Sequence, residues 1–167
     1  MVWLWILLGI LLIFLALGLA GFETACVRRE LPPQALTEEY LRGTSRAKWA
    51  EDFVFSSDWF YAQKPQTLRV MSYDGKMLSA RFLPREDAKG TILLFHGYRS
   101  SGLLDFGPEL EFLHRQGYNL LLCDQRAHGA SQGRYMTFGV RERYDVLAWV
   151  TYLAQMLGAE HPMFLSG

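Results

Sequence analysis

Three hydrophobic patterns follow one another along the chain. Residues 2–22, VWLWILLGILLIFLALGLAGF, are apolar and carry no charge. At about 1.5 Å per residue, a helix of this length spans about 30 Å, the hydrocarbon thickness of a bilayer. Trp3 and Trp5 stand where an interfacial aromatic belt is expected. A cleaved signal peptide is the rival, with small residues around Leu19-Ala20-Gly21. Against it, no basic n-region precedes the run, and the run is longer than a signal peptide's apolar region. Residues 1–22 are therefore expected to be a single-pass anchor in the cell membrane, with the lipid bilayer as partner. Arg28, Arg29 and Arg42 follow the span and no Lys or Arg precedes it, which favours a cytoplasmic soluble domain.

Residues 23–65 form a connector with helical spacing. Pro32-Pro33 breaks the chain after the membrane exit. Thr37-Glu38-Glu39 predicts a helix start, with a capping hydroxyl and two acids in the first turn. Residues 43–45 interrupt it. A second helix from about Ser45 carries Trp49, Phe53 and Phe60 on one face. The opposite face mixes both signs of charge, so packing against the following domain is favoured over lying on the bilayer.

From residue 66 the period changes again. Residues 66–73 and 76–83 alternate apolar and polar positions around Asp74-Gly75, a two-residue hairpin signal. A buried strand is predicted at 92–95 and another at 118–123, YNLLLC. Between them Gly107-Pro108-Glu109 predicts a helix start, with Arg115 near its end and Gly117 as its stop. A loop of turn residues, DQRAHGASQG, follows the second strand. A helix from about Gly139 to Leu157 presents Val146, Val150, Leu153 and Leu157 along one face, with Trp149 beside them. MFLS at 163–166 opens a third buried strand. Strand, helix, strand, helix, strand at these lengths predicts a parallel α/β sheet.

Composition narrows the functional classes. Lys plus Arg and Asp plus Glu are each 17, so no charge excess points to nucleic acid. The two cysteines, Cys26 and Cys123, are far apart, and the Cys and His positions lack metal-ligand spacing. No G-x-G-x-x-G follows a strand, so a dinucleotide is a distant prospect and no cofactor is expected.

Two motifs, LLFHGYRSSG at 93–102 and CDQRAHGASQG at 123–133, stand behind the hairpin in strand-to-loop contexts. With them, residues 66–167 resemble the α/β-hydrolase superfamily, most closely its serine aminopeptidase-like, or prolyl-oligopeptidase-like, membrane-anchored branch. The resemblance implies the N-terminal half of an α/β-hydrolase sheet: an antiparallel hairpin, then parallel strands with crossover helices. It implies that the His96-Gly97 loop is the oxyanion loop. The backbone N–H of Tyr98 is then one donor to the tetrahedral oxyanion, Gly97 gives the turn room, and the Tyr98 side chain forms a pocket wall. It makes the Asp124, Arg126 and His128 loop structural, because the family's acid and base follow the nucleophile in chain order. His96 orients its loop.

In that family the nucleophile lies at the turn after the fifth strand, in G-x-S-x-G. Gly167 matches the first glycine of this elbow, so the serine, acid and histidine are expected outside these residues. The expected function is a membrane-anchored serine hydrolase acting on an ester, amide or peptide bond, truncated here and inactive as given. An exposed strand edge is expected at 163–165. An aspartate at the elbow is a variant within this class. The alternative is a non-catalytic membrane-bound interaction module built on a hydrolase half-fold.

Overall fold

The computed structural model describes residues 1–167. Its first element is α1, Val2–Cys26, the one helix long and apolar enough to cross a membrane. None of its residues is buried. The helix runs beyond the uncharged stretch, and Val27 then turns extended and bridges Tyr135 in antiparallel sense.

The connector holds α2, Glu38–Arg42, and α3, Ala50–Ala62. Thr37 caps α2 as expected, its hydroxyl accepting from the Tyr40 N–H at 3.4 Å. A single 3-10 turn, Ala47–Trp49, leads into α3. Phe53 and Phe60 are buried in apolar clusters shared with the helix that follows the third strand. Trp49 departs from the predicted face: it is half exposed, with the Lys48 ammonium 5.2 Å from its ring.

A mixed sheet carries the rest. Its strands are β1, Gln66–Met71; β2, Met77–Leu83; β3, Gly90–Phe95; β4, Tyr118–Asp124; and β5, Met163–Ser166. They lie in the order β1-β2-β4-β3-β5. β2 pairs antiparallel with β1 and with β4, whereas β3 runs parallel to β4 and β5. The crossover helices are α4, Gly102–Arg115, and α5, Glu142–Leu157. Leu93 and Leu121 pack on one face with Trp149 and Leu153 of α5. Leu94, Leu120 and Leu122 pack on the other with Phe60 of α3 and Leu103 and Leu110 of α4. Burial on both faces explains the continuous apolar runs of β3 and β4.

Three expectations need correction. The hairpin is not a two-residue loop, because Met71 pairs with Met77. Only Gly75 takes positive φ, at 75°, and the Ser72 hydroxyl accepts from the Lys76 N–H at 2.9 Å. Helix α4 starts at Gly102, earlier than Gly107, capped by Ser101, with Pro108 inside it. The carbonyl that Pro108 cannot bond, that of Leu104, accepts instead from Arg46 Nε at 3.1 Å. Helix α5 starts at Glu142 rather than Gly139, because Phe138 and Gly139 have φ of 48° and 89°. The Glu142 carboxylate caps that turn, accepting from the Thr137 N–H and hydroxyl and from the Gly139 N–H.

Candidate active site

The loop after β3 leaves the sheet between its parallel strands, at their carboxyl ends, where α/β folds bind ligands. Asp105, in the first turn of α4, organises it. Asp105 Oδ2 accepts from the Gly97 N–H at 2.6 Å, and Oδ1 accepts from the Ser100 hydroxyl and from Arg46 Nη2. The Gly97 N–H is thereby used, whereas the Tyr98 N–H has no backbone acceptor. The left-handed residue of the turn is Arg99, with φ 52°, and not Gly97. A Cβ at Gly97 would lie 3.4 Å from Asp105 Oδ2, an ordinary contact.

His96 is 1% exposed and holds this loop to the next. Its Nδ1 lies 2.9 Å from the Gly97 carbonyl, and its Nε2 accepts from the Gln125 N–H at 3.2 Å. That bonding corresponds to a neutral ring protonated on Nδ1, with no nitrogen free to move a proton.

The loop after β4 is pinned from several sides. Asp124 Oδ2 accepts from the Ala130 N–H at 2.9 Å. Gly129 has φ 48°, and a Cβ there would lie 2.6 Å from the Asp124 carboxylate. Arg126 is 3% exposed and makes a bidentate pair with Asp145 of α5, both bonds 2.6 Å, with Asp74 of the hairpin 3.1 Å away. His128 Nδ1 bonds the Arg126 carbonyl, Nε2 is buried without a partner, and burial pushes its pKa below the ordinary 6.5. Asp124 and Arg126 thus face structural partners, and His128 does so through Nδ1 only.

This loop also contains the string G-x-S-x-G, at 129–133. Ser131 is no nucleophile. It is 1% exposed, its hydroxyl donates to the Asp124 carbonyl at 2.6 Å and accepts from the Ser79 N–H at 2.8 Å, and no strand-to-helix turn surrounds it.

A cavity of about 140 Å³ opens between the two loops, lined by His96, Gly97, Tyr98, His128, Met136 and Phe138 among others. A larger one of about 300 Å³ lies under the connector, lined by Leu31, Leu36, Phe60 and Leu103, and does not reach Gly97 or Tyr98. Gly167 sits beside the end of β3, where a Cβ would come 2.9 Å from the Phe95 carbonyl oxygen. The cavity, the free Tyr98 N–H and Gly167 therefore share one end of the sheet.

Sequence reasoning missed the attachment of α1 to these loops. The Tyr98 hydroxyl donates to the Ala25 carbonyl at 3.0 Å, and Arg99 donates to the Thr24 carbonyl. Arg28 donates to the carbonyls of Ser131 and Gly129 at 2.7 and 2.6 Å. These contacts join positions about a hundred or fewer residues apart that no local motif marks.

No protein-family model and no curated protein matches the chain. Among solved structures it is similar to the Pyrococcus furiosus esterase Pf2001, with 29% identity and a TM-score of 0.57 over 63% of this chain and 43% of that one. A second crystal form of that esterase gives 28% identity and a TM-score of 0.56 over 63% and 41%. The structure of the DcsB complex with its substrate analogue is similar at 19% identity, with a TM-score of 0.55 over 60% and 36%. The fold is part of the α/β-hydrolase fold. The chain spans less than half the length of these structures.

Proposed function

We propose that these residues are the anchor-bearing, oxyanion-loop part of a membrane-anchored serine hydrolase of the serine aminopeptidase-like branch, acting on an ester, amide or peptide bond. The observation that carries this is the pairing at the loop after β3. Asp105 takes the Gly97 N–H and leaves the Tyr98 N–H free beside the cavity. A donor held in place for charge that develops only in the transition state is worth a factor of about 10²–10³ in kcat. The similarity to an esterase at 29% identity supports the same class. Serine attack, proton relay by a histidine and an acyl-enzyme intermediate are the steps such a site performs. Nucleophile, acid and base lie outside these residues in this proposal, so residues 1–167 alone are inactive.

The test has two arms. Purified residues 1–167 are expected to show no hydrolysis of a p-nitrophenyl ester, and measurable turnover would overturn the proposal. In a chain that includes an elbow serine, Tyr98→Pro, which removes the N–H, is expected to lower kcat about 10²-fold or more. Tyr98→Ala, which keeps it, should lower kcat far less. Equal losses in the two variants would reject the oxyanion role.

A further inference from the structure

The end of α1 and the loop joining β4 to α5 are one structural unit, and its position relative to a bilayer follows from α1. The uncharged residues 2–22 cover about 30 Å of hydrocarbon, and Glu23 is the first charge. The headgroup layer beyond is about 5–7 Å thick, the span of residues 23–26 at helical rise. Residues bonded to the carbonyls of Thr24, Ala25 and Cys26 are therefore held at the membrane surface. The loop is tied there by two backbone hydrogen bonds, which together make the Val27–Tyr135 bridge. The Met136 N–H donates to the Cys26 carbonyl, and the Arg28 N–H donates to the Arg134 carbonyl, both at 2.7 Å. The rings of Phe22 and Tyr135 lie 5.3 Å apart.

From this tether the loop extends a tip, Phe138-Gly139-Val140. Phe138 and Val140 are 64% and 63% exposed, and Phe138 stacks on Tyr98 at 5.5 Å. Exposed apolar residues are unremarkable singly. These two stand on the loop fastened to the end of an unburied apolar helix, with Phe138 stacked on the Tyr98 ring whose hydroxyl bonds Ala25. Exposed Arg134 and Arg143 flank them. An apolar tip between arginines matches a bilayer interface, where rings sit among the upper acyl chains and guanidinium groups meet lipid phosphates.

We infer that the loop over residues 134–143 is a bilayer-contact surface, inserting Phe138 and Val140 into the interface of a membrane containing anionic phospholipid. This rests on the reading of α1 as an uncleaved anchor. Because Phe138 and Tyr98 also line the cavity, the mouth of the candidate site then opens at the membrane surface.

The inference is tested with the full chain reconstituted in phosphatidylcholine vesicles containing phosphatidylglycerol. An NBD fluorophore is attached in turn at Phe138→Cys, Phe112→Cys and Ile10→Cys, each in a Cys26→Ser background with Cys123 buried. Phe112 is a comparably exposed residue of α4. A nitroxide-labelled lipid with its spin label high on the acyl chain is expected to quench position 138 several-fold more than position 112. Adding Arg134→Gln and Arg143→Gln is expected to reduce that quenching. Quenching at 138 no greater than at 112 overturns the inference, and quenching unchanged by the glutamines overturns its anionic-lipid part. Position 10, probed with a nitroxide deep in the bilayer, reports the anchor separately. Quenching at 10 without quenching at 138 rejects the loop contact and leaves the anchor, whereas quenching at neither rejects both.

Discussion

Arg126 stays charged at 3% exposure because carboxylates on two other elements surround it. Burial raises the pKa of Asp145, and the guanidinium offsets part of that rise. Removing one member of a buried pair leaves the other charge uncompensated, which costs about 3–5 kcal/mol. Arg126→Met is expected to destabilise the protein by that amount in a denaturant titration. Gly129→Ala is expected to cost about 1–3 kcal/mol in the same assay, because its φ is positive and the new Cβ meets the Asp124 carboxylate. Asp74, Glu142 and His128 each lose stabilisation as pH falls, whereas burial of Asp145 acts in the opposite sense. The Asp74 carboxyl is lowered to about 2 by the hydrogen bond from Ser72 and by Arg126 beside it. Its contribution is complete above the ordinary 3.8 and is lost as pH falls through about 2. His128, lowered by burial, is harder to protonate folded than unfolded, so stability also declines as pH falls below 6.5. A melting temperature followed against pH should decline in two stages, the upper one absent in His128→Asn and the lower one reduced in Asp74→Asn and in Glu142→Gln.

At the scale of elements, α4 shows how an unfavourable residue is accommodated. Pro108 interrupts the hydrogen-bond ladder, and Arg46 from the connector takes the freed Leu104 carbonyl while pairing with Asp105 at 3.1 Å. The connector, through one arginine, thus satisfies both a broken helix and the carboxylate that holds the loop after β3. Arg46→Ala is expected to cost about 1–3 kcal/mol, since it strands a carbonyl in a part-buried setting. Pro108→Ala restores an N–H for that carbonyl, so Arg46→Ala should cost less in the Pro108→Ala background. A double-mutant cycle by chemical denaturation measures the difference, and strict additivity would reject the link.

At the scale of the whole molecule, the sheet is clamped between α5 and the α3–α4 pair, while one end of it is fastened to the exit of α1. The fastening makes the loop segments 98–99 and 129–136 depend on residues 24–28. Deleting residues 1–28 should speed amide hydrogen exchange across 129–136 relative to deleting residues 1–22, with β3 and β4 unchanged. Equal protection in the two truncated chains would show that the loop stands without this clamp.

Much of this architecture was legible beforehand. Strands β3 and β4 appear as apolar runs because burial on both faces demands continuous hydrophobicity, whereas β5 shows the same run with Phe164 and Leu165 exposed on the sheet edge. Asp145 was missed although a signal was there: it precedes Trp149 and Leu153 by four and eight positions, so a carboxylate on that face needs a buried partner. The start of α4 was missed because a Gly-Pro pair imitates a first turn, and only Ser101 capping and the rescue by Arg46 make the longer helix stable. The string at 129–133 shows the same limit, since only burial of Ser131 against Ser79 and Asp124 separates it from a nucleophile elbow. Periodicity and turn chemistry are local, so they suffice for the apolar span, the strands, the α/β class and the positions of the connecting loops. Which loop N–H is used and which left free, and what α1 fastens, depend on partners up to about a hundred residues away, and packing alone brings those together.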